Sequence, residues 1–288
     1  MDRLRDIFWD CGAVAVGVSR AEPVADNHWQ AFESWLDSGR SAGMEYMANH
    51  KAIRRDPRLL LDDARSVISL AFSFAPAIYR DSDKWMIACY AYGEDYHDVL
   101  RRRVREAVKE IKDIYGGEYR VCIDSAPILE RYWAEKSGIG EIGKNGSLIV
   151  PGYGSMVFLC EVITTLELRE KAFVRRNTQE LKQSFERKQL RESRESREEN
   201  EFCLGCGKCV AVCPGSAING EGGIDARRCL SYLTIEHRGE WCSDEALETV
   251  GSEVGKKTLF GCDLCLRSCP LNKGLEPTRI EEFQPRPE

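Results

Sequence analysis

Residues 203–214 read CLGCGKCVAVCP, and no other stretch constrains the fold as tightly. The spacing is C-x₂-C-x₂-C-x₃-C-P, a ligand run for [4Fe–4S] centres in which the fourth cysteine serves a neighbouring cluster. Three closely spaced thiolates can wrap one face of a cube. The glycines let the loop turn its N–H groups toward the sulfides, and Pro214 turns the chain away. A second run, CDLCLRSCP at 262–270, supplies C-x₂-C-x₃-C-P and lacks only a leading cysteine, which Cys229 in RRCLSYLTIEH can provide. The ligand arithmetic then closes. Cys203, Cys206, Cys209 and Cys269 hold one cluster, and Cys213, Cys229, Cys262 and Cys265 hold the other. Zinc also takes four cysteines, but zinc ribbons use paired C-x₂-C knuckles rather than a triple run ending in C-P. Cys11, Cys89, Cys122, Cys160 and Cys242 are scattered, the first four among apolar residues, and read as ordinary thiols.

Outward from these motifs, 288 residues suffice for one large domain and one small one. From Arg169 to Glu201 the chain turns densely and mixedly charged, as in RESRESREENE, which reads as an ion-paired helical insertion or a linker. The expected organisation is therefore a catalytic domain over 1–168, a charged connection over 169–201, and a cysteine-rich domain over 202–288. No run approaches the roughly 18 apolar residues of a membrane span. The start, MDRLRDIFWDCGAVAVGVSR, lacks the order of a signal peptide and has no twin arginine, so the cytoplasm is expected. Thiols stay reduced there, and thirteen cysteines argue for metal rather than disulfides. A net charge of −6 does not advertise a nucleic-acid binder. Arg101, Arg102, Arg103, Arg105, Lys109 and Lys112 do share one predicted helix, either as a solvated face or as a local basic surface.

The first domain alternates strand-like and helix-like segments. AVAVGV at 13–18, SVISLAFSF at 66–74, YRVCID at 119–124, SLIV and SMVFLCEVITT read as strands. DYHDVLRRRVREAVKEIKDIY at 95–115 reads as a helix, and SAPILERYWAEKSG as another, with Ser125 at the N-cap, Pro127 in the first turn and Gly138 at C′. Such alternation predicts an α/β sheet with helices covering its faces.

Several longer stretches resemble the epoxyqueuosine reductase family. They are VCIDSAPILERYWAEKSGIGEIGKNGSLIVPGYGSMVFLCEV, MEYMANHKAIRRDPRLLL, AYGEDYHDVL, RRCLSYLTIEHRGE and FGCDLC, spread in the family's order over nearly the whole chain. The resemblance implies a cobalamin-binding α/β domain akin to that of reductive dehalogenases, followed by a ferredoxin-like domain with two [4Fe–4S] clusters. It implies a tRNA substrate carrying epoxyqueuosine at the wobble position, presented on its anticodon stem–loop, whose epoxide is reduced to the alkene in the last step of queuosine synthesis. A monomer fed by a low-potential electron donor, with no membrane partner, is expected.

On the same resemblance, Asp124 is the proton donor, and Val121, Ile123, Ala126 and the corrin face are expected to desolvate it. By residue type alone, Asp124 equally fits a cap for the following helix. Arg54, in RRDP, matches a cobalamin contact. Ala88, Leu148 and Leu159 fall where the family meets the cofactor, and Ser231, Cys262 and Asp263 fall where the ferredoxin-like domain closes over it. Each position also fits plain packing. His97 in DYHD reads as a helix-start histidine bonded to backbone rather than as a cobalt ligand. The 169–201 segment is longer than the family's usual connection, and the chain ends soon after the second cysteine run. Two competing readings are a reductive-dehalogenase-like enzyme acting on a small molecule and a ferredoxin-type electron carrier. The first is usually exported with a twin-arginine signal, and the second would leave the large α/β region without a purpose.

Overall fold

The apolar run at 66–73 is buried along its whole length, as a strand covered on both faces must be. The computed structural model describes residues 1–80, 85–175, 177, 202–240 and 243–285. Its first region runs α1 (Asp2–Asp10), β1 (Ala15–Arg20), α2 (Asp26–Asp37), α3 (Lys51–Arg55), β2 (Ser66–Ser73), β3 (Met86–Ile87), α4 (Tyr96–Tyr115), β4 (Tyr119–Cys122) and α5 (Glu130–Lys136). There follow β5 (Glu141–Ile142), β6 (Leu148–Ile149), β7 (Val157–Thr164) and β8 (Lys171–Val174), with β9 (Thr258–Phe260) far along the chain. Five strands form one sheet in the order β4-β7-β2-β1-β8, and every neighbouring pair is antiparallel.

Side chains alternate across a strand, so β2 sends Ile68, Leu70 and Phe72 to one face and Val67 to the other. The first set joins Phe8 of α1 and Leu100 and Ile111 of α4 in one core. Val67 joins Trp29 of α2, and Tyr132 and Trp133 of α5, in a second. α4 starts at Asp95, whose carboxylate accepts the His97 N–H at 2.9 Å as an N-cap should. Its basic face is laced to acids. Arg101 donates to Asp98, Arg102 and Arg103 to Glu282, and Lys112 to Glu118.

The cysteine region carries short helices at Lys208–Ala211, Leu230–Ile235, Asp244–Gly251 and Leu264–Arg267. It is stitched to the sheet region by the parallel β3–β9 pair and by several side chains. The Trp35 indole donates to the Ile224 carbonyl at 2.6 Å, and the Gly43 N–H donates to the Tyr232 hydroxyl at 2.9 Å. Asn272 accepts the Ser155 N–H at 2.7 Å and donates to the Ser155 hydroxyl and the Leu266 carbonyl.

Three expectations need correction. Residues 171–174, assigned by composition to the charged connection, form an edge strand paired with β1, where Phe173 lies against Arg5 and Lys171. The end of the chain does not stay with the cysteine region: Ile280 and Phe283 are buried in the first core beside Phe158. The helix expected from Ser125 begins at Glu130, with Leu129 at its N-cap, although Gly138 does follow it at φ +80°. The rest of the charged connection, residue 176 and residues 178–201, lies outside the described residues, as does Cys242. Among the described residues no helix is long and apolar enough to cross a membrane.

Candidate active site and iron–sulfur centres

The eight cysteines gather as their spacing requires. Cys203, Cys206, Cys209 and Cys269 line one cavity, closed on the sheet side by Asn145 and Ile149. Cys213, Cys229, Cys262 and Cys265 form the second group, each close enough to feel its neighbours' charge. Burial, then the nearby thiolates, pushes Cys262 up to about 12. Cys269, by burial and then its own group, goes up to about 11. Iron must displace those protons, so cluster assembly and the fold of this region are one equilibrium. The residue types and grouping fit two cubes. Among the described residues no three metal-ligating side chains converge tightly enough for a single ion. A cube spreads its thiolates over its corners, wider than the about 3.8 Å between sulfurs that tetrahedral zinc imposes. Cys213 also accepts the Ala217 N–H at 3.2 Å.

Asp124 stands just beyond β4 at φ +49°, a left-handed conformation that costs most side chains energy but suits Asp. Its own N–H donates to Glu130 at 2.6 Å, and its carboxylate lies 2.9 Å from the Nε2 of His97. The helix it was expected to cap starts six residues later, so the capping role is excluded. Its apolar neighbours alone leave it open to solvent. Ile123 is buried in the core, while the Asp124 side chain is 54% exposed.

Acids and phenols surround it instead. Burial, then the Asp124 charge, lifts Glu130 to about 7. Burial, then Asp124, holds the Tyr90 and Tyr96 phenols above their usual range. Tyr96 stacks between His97 and Phe158, at 4.0 and 4.2 Å between ring centres. His97 bonds two carboxylates rather than backbone, with its Nδ1 2.7 Å from Asp95. Glu130 escaped the sequence reading, because a glutamate early in a helix is ordinarily a favourable partner of the helix dipole. Its approach to Asp124 exists only once the intervening turn is folded.

A partly exposed apolar rim adjoins this cluster: Tyr46, Leu259 (61% exposed) and Phe260 (41% exposed), with Tyr90 beside Phe260. Gly261 sits at φ +66°, where an added Cβ would lie 2.8 Å from Ala88. Ala88 itself is buried and donates its N–H to Phe260. Such a rim beside hydrogen-bonding acids fits a large, flat cofactor of the corrin type, whose macrocycle face is apolar and whose edge carries amides.

The other sequence-flagged positions are scattered around it. Arg54, only 7% exposed, donates to the Asn49 and Tyr46 carbonyls and so shapes the turn that presents Tyr46. Asp263 is buried against Arg267 at 2.7 Å and accepts the Cys89 N–H at 2.7 Å. It thus joins the cysteine region to the sheet region. Leu148 and Leu159 lie in a separate apolar cluster with Ile139 and Val150. Ser231 is half-buried in the first turn of Leu230–Ile235.

The paired cysteine groups and the acid cluster across a shared seam define a two-cluster iron–sulfur oxidoreductase. Comparisons with known proteins make that class specific. The profile described as epoxyqueuosine reductase QueG, DUF1730, matches residues 54–125, and a 4Fe-4S double cluster binding domain matches residues 202–272. An epoxyqueuosine reductase of Cyclobacterium marinum is 36% identical over 256 residues, covering 88% of this chain and 73% of its own. One from Pseudomonas aeruginosa is 32% identical, covering 98% and 72%. The solved epoxyqueuosine reductase of Streptococcus thermophilus superposes with a TM-score of 0.75 at 26% identity, over 96% of this chain and 66% of its own. An epoxyqueuosine reductase crystallised with an epoxyqueuosine-modified tRNA-Tyr stem loop gives a TM-score of 0.79 at 26% identity, over 100% and 69%. This chain belongs to the epoxyqueuosine reductase family.

Proposed function

We propose that this chain reduces the epoxide of epoxyqueuosine at the wobble position of tRNA to the alkene of queuosine, with water as the second product. The placement of Asp124 carries the reading. A half-exposed carboxyl group stands on a left-handed turn, beside an open apolar rim, at the seam with a two-cluster electron relay.

Cobalamin, when bound at that rim, supplies the strongly nucleophilic, two-electron chemistry that an epoxide carbon requires. The protein's own groups do the rest. Cys213, Cys229, Cys262 and Cys265 hold the cluster nearer the rim, since Cys262 follows Gly261 directly. Cys203, Cys206, Cys209 and Cys269 hold the farther one, where a low-potential donor would deliver electrons singly. Tyr46, Ala88, Tyr90, Leu259 and Phe260 would face the cofactor, and Arg54 holds the Tyr46 turn in place. Asp124 protonates the departing oxygen. A tRNA substrate places the reaction in the cytoplasm, where the thiols stay reduced.

The test is mass spectrometry of an epoxyqueuosine-bearing anticodon stem–loop after incubation with anaerobic, cluster-loaded protein, cobalamin and a low-potential reductant. Loss of one oxygen atom is expected, and activity at subsaturating RNA should fall as salt rises. Asp124→Asn should cut turnover by roughly 10²–10⁴, the usual worth of a general acid, with cluster content intact. An unchanged RNA mass with demonstrably reduced cobalt would refute the substrate. A fully active Asn variant would remove Asp124 from the chemistry.

A further inference from the structure

Reducing an epoxide to an alkene consumes two electrons and two protons. Both C–O bonds break, and the oxygen leaves as water. Asp124 carries one acidic proton at a time, so a second must reach it, or the oxygen, within the same turnover. On the epoxide-reductase reading above, we propose that His97, clamped between Asp95 and Asp124, returns a proton to Asp124 between the two proton-consuming steps.

The geometry carries this assignment. Both ring nitrogens of His97 face carboxylate oxygens, Nδ1 on Asp95 at 2.7 Å and Nε2 on Asp124 at 2.9 Å. An ionised carboxylate only accepts, so two such bonds to one imidazole require a stored proton: an imidazolium, or an acid on one flank. The trio therefore holds one proton more than a neutral histidine between two carboxylates would.

Asp95 is fixed independently, because the same oxygen that meets the ring also caps α4 through the His97 N–H at 2.9 Å. Tyr96 stacks on the ring and holds its plane. The His97 side chain is 30% exposed, so it can refill from water while Asp124 is committed to substrate.

Among the described residues the charged groups set against the ring are carboxylates. Asp95 lies before α4, Asp124 after β4, and Glu130 on α5, while Arg101 on the next turn is tied to Asp98 at 2.8 Å. Tyr46, Tyr90 and Tyr96 ring Asp124 as neutral phenols, with Glu236 beyond Tyr46 and Tyr90. Burial pulls the imidazole down, but the bonds to Asp124 and Asp95 outweigh it and hold the ring above its ordinary value.

The proton balance follows. The first proton passes from the Asp124 carboxyl to the epoxide oxygen as one C–O bond breaks. Solvent then reprotonates the neutral His97 left behind, and the Asp124 carboxylate takes its Nε2 proton and delivers it to the hydroxyl oxygen as the second C–O bond breaks and water departs. A second solvent proton, entering through His97, restores the stored proton of the trio, and the two electrons come from the external low-potential donor through the clusters. Asp124 touches the reacting atoms. His97 acts through Asp124 and is a positioning and proton-supplying residue.

Two measurements test it. The first needs neither cobalamin nor RNA: side-chain nitrogen NMR of the cluster-loaded chain, whose four histidines are few enough to resolve, with His97 assigned by its loss in His97→Gln. His97 should titrate above the ordinary ~6.5, and Asp95→Asn and Asp124→Asn should each lower it by about one pH unit.

The second is turnover against pH. His97→Gln should lower turnover roughly tenfold to a hundredfold with little change in KM for the stem–loop, and should abolish the alkaline limb that His97 sets. Added imidazole should restore part of the activity of His97→Ala. A His97 that titrates at or below ~6.5 overturns the proposal. So does a His97→Gln enzyme with wild-type turnover and pH profile, or a loss that imidazole leaves untouched. A wild-type chain that never changes the RNA mass refutes the substrate instead, and the NMR titration still decides whether His97 stores a proton against Asp124.

Discussion

Phe8, Phe72 and Trp133 are sealed inside the sheet region, whereas among the described residues the main apolar cluster of the cysteine region buries only Ala226, Tyr232, Leu233 and Ala246, with Ala42, Met44, Cys229 and Val250 partly buried against them. The first region removes enough apolar surface from water to hold itself together. The second has helices of four to eight residues, too short to be stable alone. It relies on cysteines to organise them around an inorganic core. One chain thus carries two solutions to the same entropy cost: hydrophobic burial where there is room for a core, and metal–thiolate bonds where there is not.

The strongest way to break this contrast is to take the iron away. Fully loaded protein should bind about eight iron and eight sulfide per chain, and Cys229→Ser should lose only the cluster shared with Cys213, Cys262 and Cys265. Chelation should erase hydrogen-exchange protection across 203–269 by at least about a hundredfold, while the sheet region keeps its own. Equal loss in both regions would show that the sheet region leans on the clusters as well.

Next comes the sheet core. Trp133→Ala should cost about 3–5 kcal/mol in denaturant unfolding of the sheet region and leave the iron content unchanged. The seam is smaller. Asn272→Ala strands the buried Ser155 N–H and the Leu266 carbonyl, at about 2 kcal/mol. It should appear as a loss of coupling between the two regions' unfolding transitions.

Smallest is the clasp at the chain's end. The bond from Arg103, then that from Arg102, holds Glu282 below the usual carboxylate range. A depressed pKa contributes stability above the unfolded value of ~4.3, and loses it as pH falls through the folded value. Glu282→Gln should therefore cost under about 1 kcal/mol at neutral pH and flatten the stability profile below pH ~4.3. A cost that persists at pH 3 would mean packing rather than charge.

The difference between the regions also explains what the sequence disclosed. Cysteine spacing is a local code, so both quartets could be proposed from their motifs alone, and the fold brings the cysteines of each close together. Buried strands such as 66–73 and 157–164 were equally plain, because continuous apolar runs leave few alternatives. The misreadings lie where a long-range contact overrides local preference. SAPILE has cap and first-turn residues for a helix, yet the chain there is spent on the turn that presents Asp124. KAFV at 171–174 sits at the edge of a charged stretch and becomes a strand because β1 offers it an open edge. The bond from His97 to Asp124 arises from packing β4 beside α4, and the closeness of Glu130 to Asp124 from the turn between β4 and α5, and no spacing records either.

The return of Thr278–Phe283 to the sheet has a further consequence. The Thr278 N–H donates to the Ala75 carbonyl, and the Glu94 N–H donates to the Glu282 carbonyl. The chain leaves the sheet at β8 and rejoins it here, so the cysteine region is a loop closed at both ends. Stripped of iron, its eight cluster thiols stay confined to the volume that loop can sweep, at an effective concentration fixed by chain length rather than by dilution. Rebuilding the clusters after oxidative loss is then an intramolecular event for the ligands, first order in protein, and needs only iron, sulfide and reductant from outside.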